Sequence, residues 1–167
     1  MEKSRLKSKR IIELEENIQH GNHHAMETFW CELEISDKPS EAVIGGLSLG
    51  GLTASYMGLN HSDVFGNILS QSGSYWYQPE GFENEEGHCW MSTQYLAADQ
   101  SPLKFYLNSG VLETKDRIID TNNNLRDVLI SKGHTVDFEE FKSGHDYLCW
   151  GETLAHGLIS LIGMTSE

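Results

Sequence analysis

The sequence predicts an α/β fold in which parallel strands alternate with helices. Three observations carry this. A short apolar run ends in a glycine-flanked serine and turns straight into a helical stretch (residues 41–60). A second apolar run follows at 65–73, so strand, helix and strand succeed one another within about 30 residues, the length of a parallel crossover unit. Two further strand-like runs, 103–110 and 135–141, are each followed by a helical pattern.

In chain order, residues 1–37 stand apart. Lys3 to Ile18 is charged with a sparse apolar set and reads as an exposed helix, and Ser36 to Ser40 reads as a turn around Pro39. His20, His23 and His24 sit in a polar run without a cysteine or carboxylate at ligand spacing, so no metal site is read there. Residues 38–167 form the body of the domain. Residues 41–44 are apolar and partly β-branched and enter the interior as a strand. Gly45 to Gly51 then carries the pattern Gly46-x-Ser48-x-Gly50. So tight a strand-to-helix turn pushes the Ser48 hydroxyl out and leaves no room for side chains two residues before and after it, which glycines at 46 and 50 provide. A helix starting at Leu49 and running to Asn60 directs backbone N–H groups toward the serine oxygen, that of Leu49 foremost, as an oxyanion donor.

After the 65–73 strand, residues 75–101 break the alternation. Tyr75, Trp76 and Tyr77 precede Pro79, four glutamates and Trp90, with a short helix toward Ala98. This insertion is either a substrate-facing lid at a strand's C-terminal end or an acidic surface loop with aromatic anchors. The 103–110 strand leads to Glu113 and Asp116. A helix from about 121 to 132 follows, capped by Asp120 or Thr121 and stopped by Gly133. The 135–141 strand leads to Gly144-His145-Asp146, and residues 147–162 supply a final amphipathic helix.

The functional groups therefore occur in the order Ser48, then Glu113 or Asp116, then His145, each after a strand's C-terminal end. That is the order of α/β-hydrolases. A serine hydroxyl is a weak nucleophile at neutral pH, an imidazole must take and return its proton, and a carboxylate must orient that imidazole. His61, His134 and His156 fall on helix ends, turns or faces and read as structural or solvated.

Composition narrows the classes. The 167 residues are 38% hydrophobic, enough for one core. A formal charge of −13 argues against nucleic acid or an anionic membrane surface as the main partner. Five of the twelve Lys/Arg lie in the first ten residues with no apolar stretch behind them, and no run is long enough to span a membrane. Cys31, Cys89 and Cys149 are odd in number and widely spaced, which suggests reduced thiols in a cytoplasmic protein. No cofactor pattern is read.

Residues 44–52 (Ile44 through Leu52), 65–76 (Phe65-Gly66, then Ser70-Gln71-Ser72-Gly73-Ser74-Tyr75-Trp76) and 144–150 (Gly144-His145-Asp146-Tyr147-Leu148-Cys149-Trp150) resemble the enterochelin esterase branch of the α/β-hydrolase esterases. These enzymes hydrolyse the trilactone ring of catecholate siderophores inside the cell. The resemblance runs from about residue 38 to 163. It implies Ser48 as nucleophile, His145 as base, Glu113 as acid, and Trp76 and Trp150 at the substrate. It covers the second half of the family's sheet, and the family's upstream half, with the loop giving a second oxyanion donor, has no counterpart in the first 35 residues. The expectation is a serine esterase acting on an ester or a ferric siderophore. The alternatives are a general carboxylesterase or thioesterase and a truncated, non-catalytic remnant. A further expectation is that this chain alone is a weak enzyme prone to self-association.

Overall fold

The computed structural model describes residues 36–83, 87–99 and 103–163, all within one compact unit, 36–167. The polar segment 1–35, with its three histidines and Cys31, lies outside the described residues.

Four strands, β1 (Val43–Leu47), β2 (Asn67–Gln71), β3 (Lys104–Gly110) and β4 (Thr135–Phe141), form one sheet in the order β1-β2-β3-β4. All three pairings are parallel, with Leu47 opposite Gln71, Gln71 opposite Asn108 and Gly110 opposite Phe141. The four C-terminal ends therefore open along one edge, which is where parallel sheets place their ligand-facing loops. Strand β2 is buried at every position, as expected of an inner parallel strand, whereas β4 alternates between exposed and half-buried residues.

The helices are α1 (Leu49–Asn60), α2 (Trp90–Ala97), α3 (Asp120–Ser131) and α4 (Tyr147–Ile162). On one face of the sheet Ile68, Phe105 and Leu107 pack with Leu52 and Ala54 of α1, Met91 and Tyr95 of α2, and Leu125, Val128 and Leu129 of α3. On the other face Leu69 and Tyr106 pack with Leu161 of α4. Gly157 lets α4 come close, because a Cβ there would lie 2.6 Å from the Tyr106 ring. His134 belongs to the core. Its Nδ1 accepts the Leu103 N–H at 2.9 Å, its ring meets Tyr95 and Phe105 edge-on, and burial pushes its pKa down.

Strand β4 and helix α4 occupy the predicted residues. Two elements differ. β1 takes in Gly45, Gly46 and Leu47 beyond the apolar run, because pairing with Leu69, Ser70 and Gln71 satisfies their backbone groups whatever their propensity. Helix α3 has no side-chain cap. It continues directly from a π turn (Lys115–Ile119), with Asp120 paired to Lys115 Nζ and the Thr121 hydroxyl donating to the Arg117 carbonyl. The 75–101 insertion is anchored by Tyr75, which is fully buried, while Trp76 and Tyr77 remain exposed and Trp90 stacks on Tyr56.

Candidate active site

The turn from β1 into α1 holds Ser48 at φ 55° and ψ −120°, a sparsely populated conformation that costs about 1–3 kcal/mol in general. The surroundings enforce it. The Ser48 N–H donates to the Gln71 carbonyl at 2.8 Å, and the Ser48 carbonyl accepts from Gly51, Leu52 and Ser74 N–H groups at 3.0–3.2 Å. A Cβ on Gly46 would lie 2.4 Å from the Gly50 carbonyl carbon, so residue 46 must be glycine. The second steric demand falls on Gly51 and not on Gly50. A Cβ on Gly51 would lie 2.4 Å from Ser70 Oγ, whereas one on Gly50 meets nothing within 4 Å. Leu49 occupies the first position of α1, where a backbone N–H has no partner inside its own helix.

Beyond β3 the chain turns sharply. Gly110 N–H donates to Glu113 Oε2 at 2.8 Å, and Glu113 N–H returns to the Gly110 carbonyl at 3.1 Å. The loops after β3 and β4 are tied together, with Val111 N–H on the Phe141 carbonyl and Leu112 N–H on the Ser143 carbonyl. Gly110 permits that approach, since a Cβ there would sit 2.3 Å from the Ser143 carbonyl oxygen. The side chain of Glu113 is wholly buried, and its Oε1 lies 2.6 Å from His145 Nδ1. On the other side of the imidazole, Nε2 lies 3.0 Å from Ser48 Oγ. A carboxylate only accepts, so the tautomer that satisfies both contacts has its proton on Nδ1 toward Glu113 and an Nε2 lone pair toward the Ser48 hydroxyl.

His145 is held from its C-terminal side. Asp146 caps α4, accepting from the Leu148 and Cys149 N–H groups and from the Ser143 hydroxyl. The Cys149 N–H first, then the Ser143 hydroxyl, keeps the Asp146 pKa below its ordinary value. Trp150 packs edge-to-face with the imidazole at 4.6 Å between centroids, and its Nε1–H donates to Ser72 Oγ at 2.9 Å.

The fold thus brings Ser48, His145 and Glu113 into one hydrogen-bonded line and leaves Asp116 outside it. Asp116 lines a separate cavity of about 320 Å³ with Trp76, Trp90 and Asp120. Trp76 is 44% exposed on that wall, with the Arg117 guanidinium 5.5 Å over its ring. Trp150, grouped with Trp76 from the sequence as substrate-facing, is only 4% exposed and spends its contacts on His145 and Ser72. One residue at the site, Ser74, stands in the 65–76 motif but is given no role by the sequence reading. Ser74 Oγ lies 3.1 Å from Ser48 Oγ. Its signal, besides that motif, is that Ser72-Gly73-Ser74 directly follows an inner strand whose neighbour leads into Ser48. Among the described residues Cys89 and Cys149 are free thiols, no cluster of metal-ligating side chains occurs, and no helix is long and apolar enough to cross a membrane.

Residues 30–161 match the family described as "Putative esterase". An iron(III) enterobactin esterase of Escherichia coli O6:H1 is 36% identical over 127 residues, covering 76% of this chain and 31% of that one. Among solved structures, an enterobactin esterase from Shigella flexneri, crystallised in the presence of enterobactin, superposes with a TM-score of 0.66. It is 33% identical and matches over 76% of this chain and 31% of that one. An enterochelin esterase structure from Shigella flexneri gives 0.65 and 34%, over 76% and 32%. The chain thus spans about a third of the length of the curated relatives it matches. With its parallel sheet, its serine elbow and a family match over most of its length, the chain belongs to this esterase family, of the α/β-hydrolase type, and resembles the enterobactin esterases within it.

Proposed function

We propose that the chain is a serine ester hydrolase with Ser48 as nucleophile, His145 as general base and then acid, and Glu113 as the carboxylate that orients the imidazole. The observation that carries this reading is the line from Ser48 Oγ through His145 Nε2 and Nδ1 to the buried Glu113 Oε1, with separations of 3.0 and 2.6 Å. Ser48 Oγ attacks the ester carbonyl carbon while Nε2 takes its proton. Glu113 stabilises the imidazolium that forms, and the Leu49 N–H stabilises the oxyanion. When the tetrahedral intermediate collapses, Nε2–H protonates the departing alkoxide and an acyl-Ser48 ester remains. Water, deprotonated by Nε2, then releases the acid and restores Ser48.

The names of the relatives support a siderophore lactone as substrate, and a cytoplasmic reaction is part of the same proposal. The triad itself serves a simple carboxylester or a thioester equally, and a formal charge of −13 works against a strongly anionic ferric catecholate. A second reading, a non-catalytic remnant, draws on the outer edge of β1, to which no strand pairs among the described residues. That edge, with the apolar outer side of α4, also favours self-association.

Turnover of p-nitrophenyl butyrate and labelling of a single serine by a fluorophosphonate test the reading. Ser48→Ala should abolish labelling and lower kcat by about 10⁴ to 10⁶. Unchanged turnover in that variant refutes the mechanism, and an inert wild-type chain favours the remnant. Release of catechol-bearing hydroxy acids from ferric enterobactin, compared with p-nitrophenyl butyrate at equal concentration, separates a siderophore lactonase from a general esterase.

A further inference from the structure

We propose that Ser74 is a positioning residue for the nucleophile, a role that rests on the reading of Ser48 as the attacking group. Ser74 lies 26 residues beyond Ser48, at the exit of the neighbouring strand, and is 2% exposed. Both of its donors reach the same residue. The Ser74 N–H donates to the Ser48 carbonyl at 3.0 Å, and the Ser74 hydroxyl lies 3.1 Å from Ser48 Oγ.

A serine hydroxyl has one proton to donate and two lone pairs that accept. With His145 neutral, the Ser48 O–H donates to Nε2 and a Ser48 lone pair accepts from Ser74. This selects, among the three staggered χ1 wells of Ser48, the one in which Oγ faces the imidazole. With His145 protonated, Nε2–H donates to Ser48 Oγ, and the Ser48 proton turns to a lone pair of Ser74. The Ser74 hydroxyl rotates to match, so Ser48 stays hydrogen-bonded in both protonation states without moving.

The backbone carrying Ser74 is itself fixed, as a positioning group requires. Ser72 N–H donates to the Asn108 carbonyl at 3.0 Å and to its Oδ1 at 3.2 Å. The Gly73 carbonyl accepts from Asn122 Nδ2 and from Tyr75 N–H, and the Ser74 carbonyl accepts from Tyr77 N–H, at 2.8–3.0 Å. Gly73 has no room for a side chain, since a Cβ would lie 2.4 Å from the Tyr75 ring. The same loop reaches the base as well, because Ser72 Oγ accepts from Trp150, which packs on His145. The 72–74 turn therefore braces the nucleophile directly and the imidazole through one indole.

The test is the rate at which a fluorophosphonate labels Ser48, followed to saturation so that the maximal rate and the half-saturating concentration separate. Ser74→Ala should lower the maximal rate about 3- to 10-fold, the size of one neutral hydrogen bond, and leave half-saturation unchanged. Ser74→Cys keeps the side chain's shape with a weak donor and should be slowed likewise, while Ser74→Thr restores the rate to within about twofold. Circular dichroism and an unfolding curve establish that each variant is folded, and if the threonine variant is not, the alanine and cysteine pair decides. A folded Ser74→Ala that labels at the wild-type rate overturns the role, and so does a Ser74→Cys with full rate, which would mark a packing effect. A wild-type chain that is never labelled fails one step earlier, at Ser48 itself, and takes this role with it.

Discussion

At the residue scale, the proposal of Glu113 as the acid rests on burial and direction. Glu113 and Asp116 stand three residues apart in the same connection, and either could follow from strand order alone. The turn after β3 folds Glu113 back onto its own strand, so that Oε2 accepts from Gly110 N–H and Oε1 is left for His145. Asp116 falls at the start of the π turn and faces a different cavity. Glu113→Gln should therefore lower kcat by about 10⁴ by presenting a mixed donor and acceptor to Nδ1–H, while Asp116→Asn stays within a few-fold of wild type. Steady-state hydrolysis of p-nitrophenyl butyrate by both variants decides, and the reverse order would move the acid to Asp116.

At the scale of elements, the elbow is a strand and a helix forced together over one strained serine. The motif asks for glycine two residues on either side of Ser48, but the contacts ask for it at 46 and 51. Gly50 lies in the first turn of α1 with open space where its Cβ would project. Gly50→Ala should therefore fold with unchanged or slightly higher stability, up to about 1 kcal/mol from helix propensity alone. Gly46→Ala must push the backbone of Gly50 away and should lose about 1–3 kcal/mol or more, as overpacking does. Urea unfolding midpoints of the two variants measure the contrast, and equal midpoints would show that the elbow relaxes freely.

For the described unit as a whole, two surfaces invite contact with another copy, one an unpaired strand edge and the other an apolar helix face. The outer edge of β1 pairs with no strand among the described residues, and Gly45 on it is exposed. Helix α4 buries Trp150, Thr153, Gly157 and Leu161 on the sheet yet also exposes Leu148, Leu154, Leu158, Ile159 and Ile162. A free strand edge and an apolar helix face each favour association of copies. Sedimentation velocity on the 167-residue chain should show mass rising with concentration from about 1 to 100 µM, and Ile159→Lys with Leu148→Glu should reduce that rise. A single monomeric species over the whole range would refute the expectation.

The features legible in the sequence are local or periodic. Strand β4 and helix α4 stand where their patterns put them, because a short strand-like run and an amphipathic helical run are each read within a short window. The elbow was legible for the same reason, since a strand, a glycine-flanked serine and a helix occupy one stretch. That Glu113 and not Asp116 reaches His145 is visible only in three dimensions, because it depends on how the loops after β3 and β4 are stitched through Val111 and Leu112. The tertiary structure alone showed that Gly51 and not Gly50 is sterically required, because the clashing atom is Ser70 Oγ on the next strand. The burial of Trp150 against His145 and the approach of Ser74 Oγ to Ser48 Oγ are likewise visible only there. Each of these depends on atoms far apart in sequence that parallel pairing makes neighbours, and no local pattern encodes that distance.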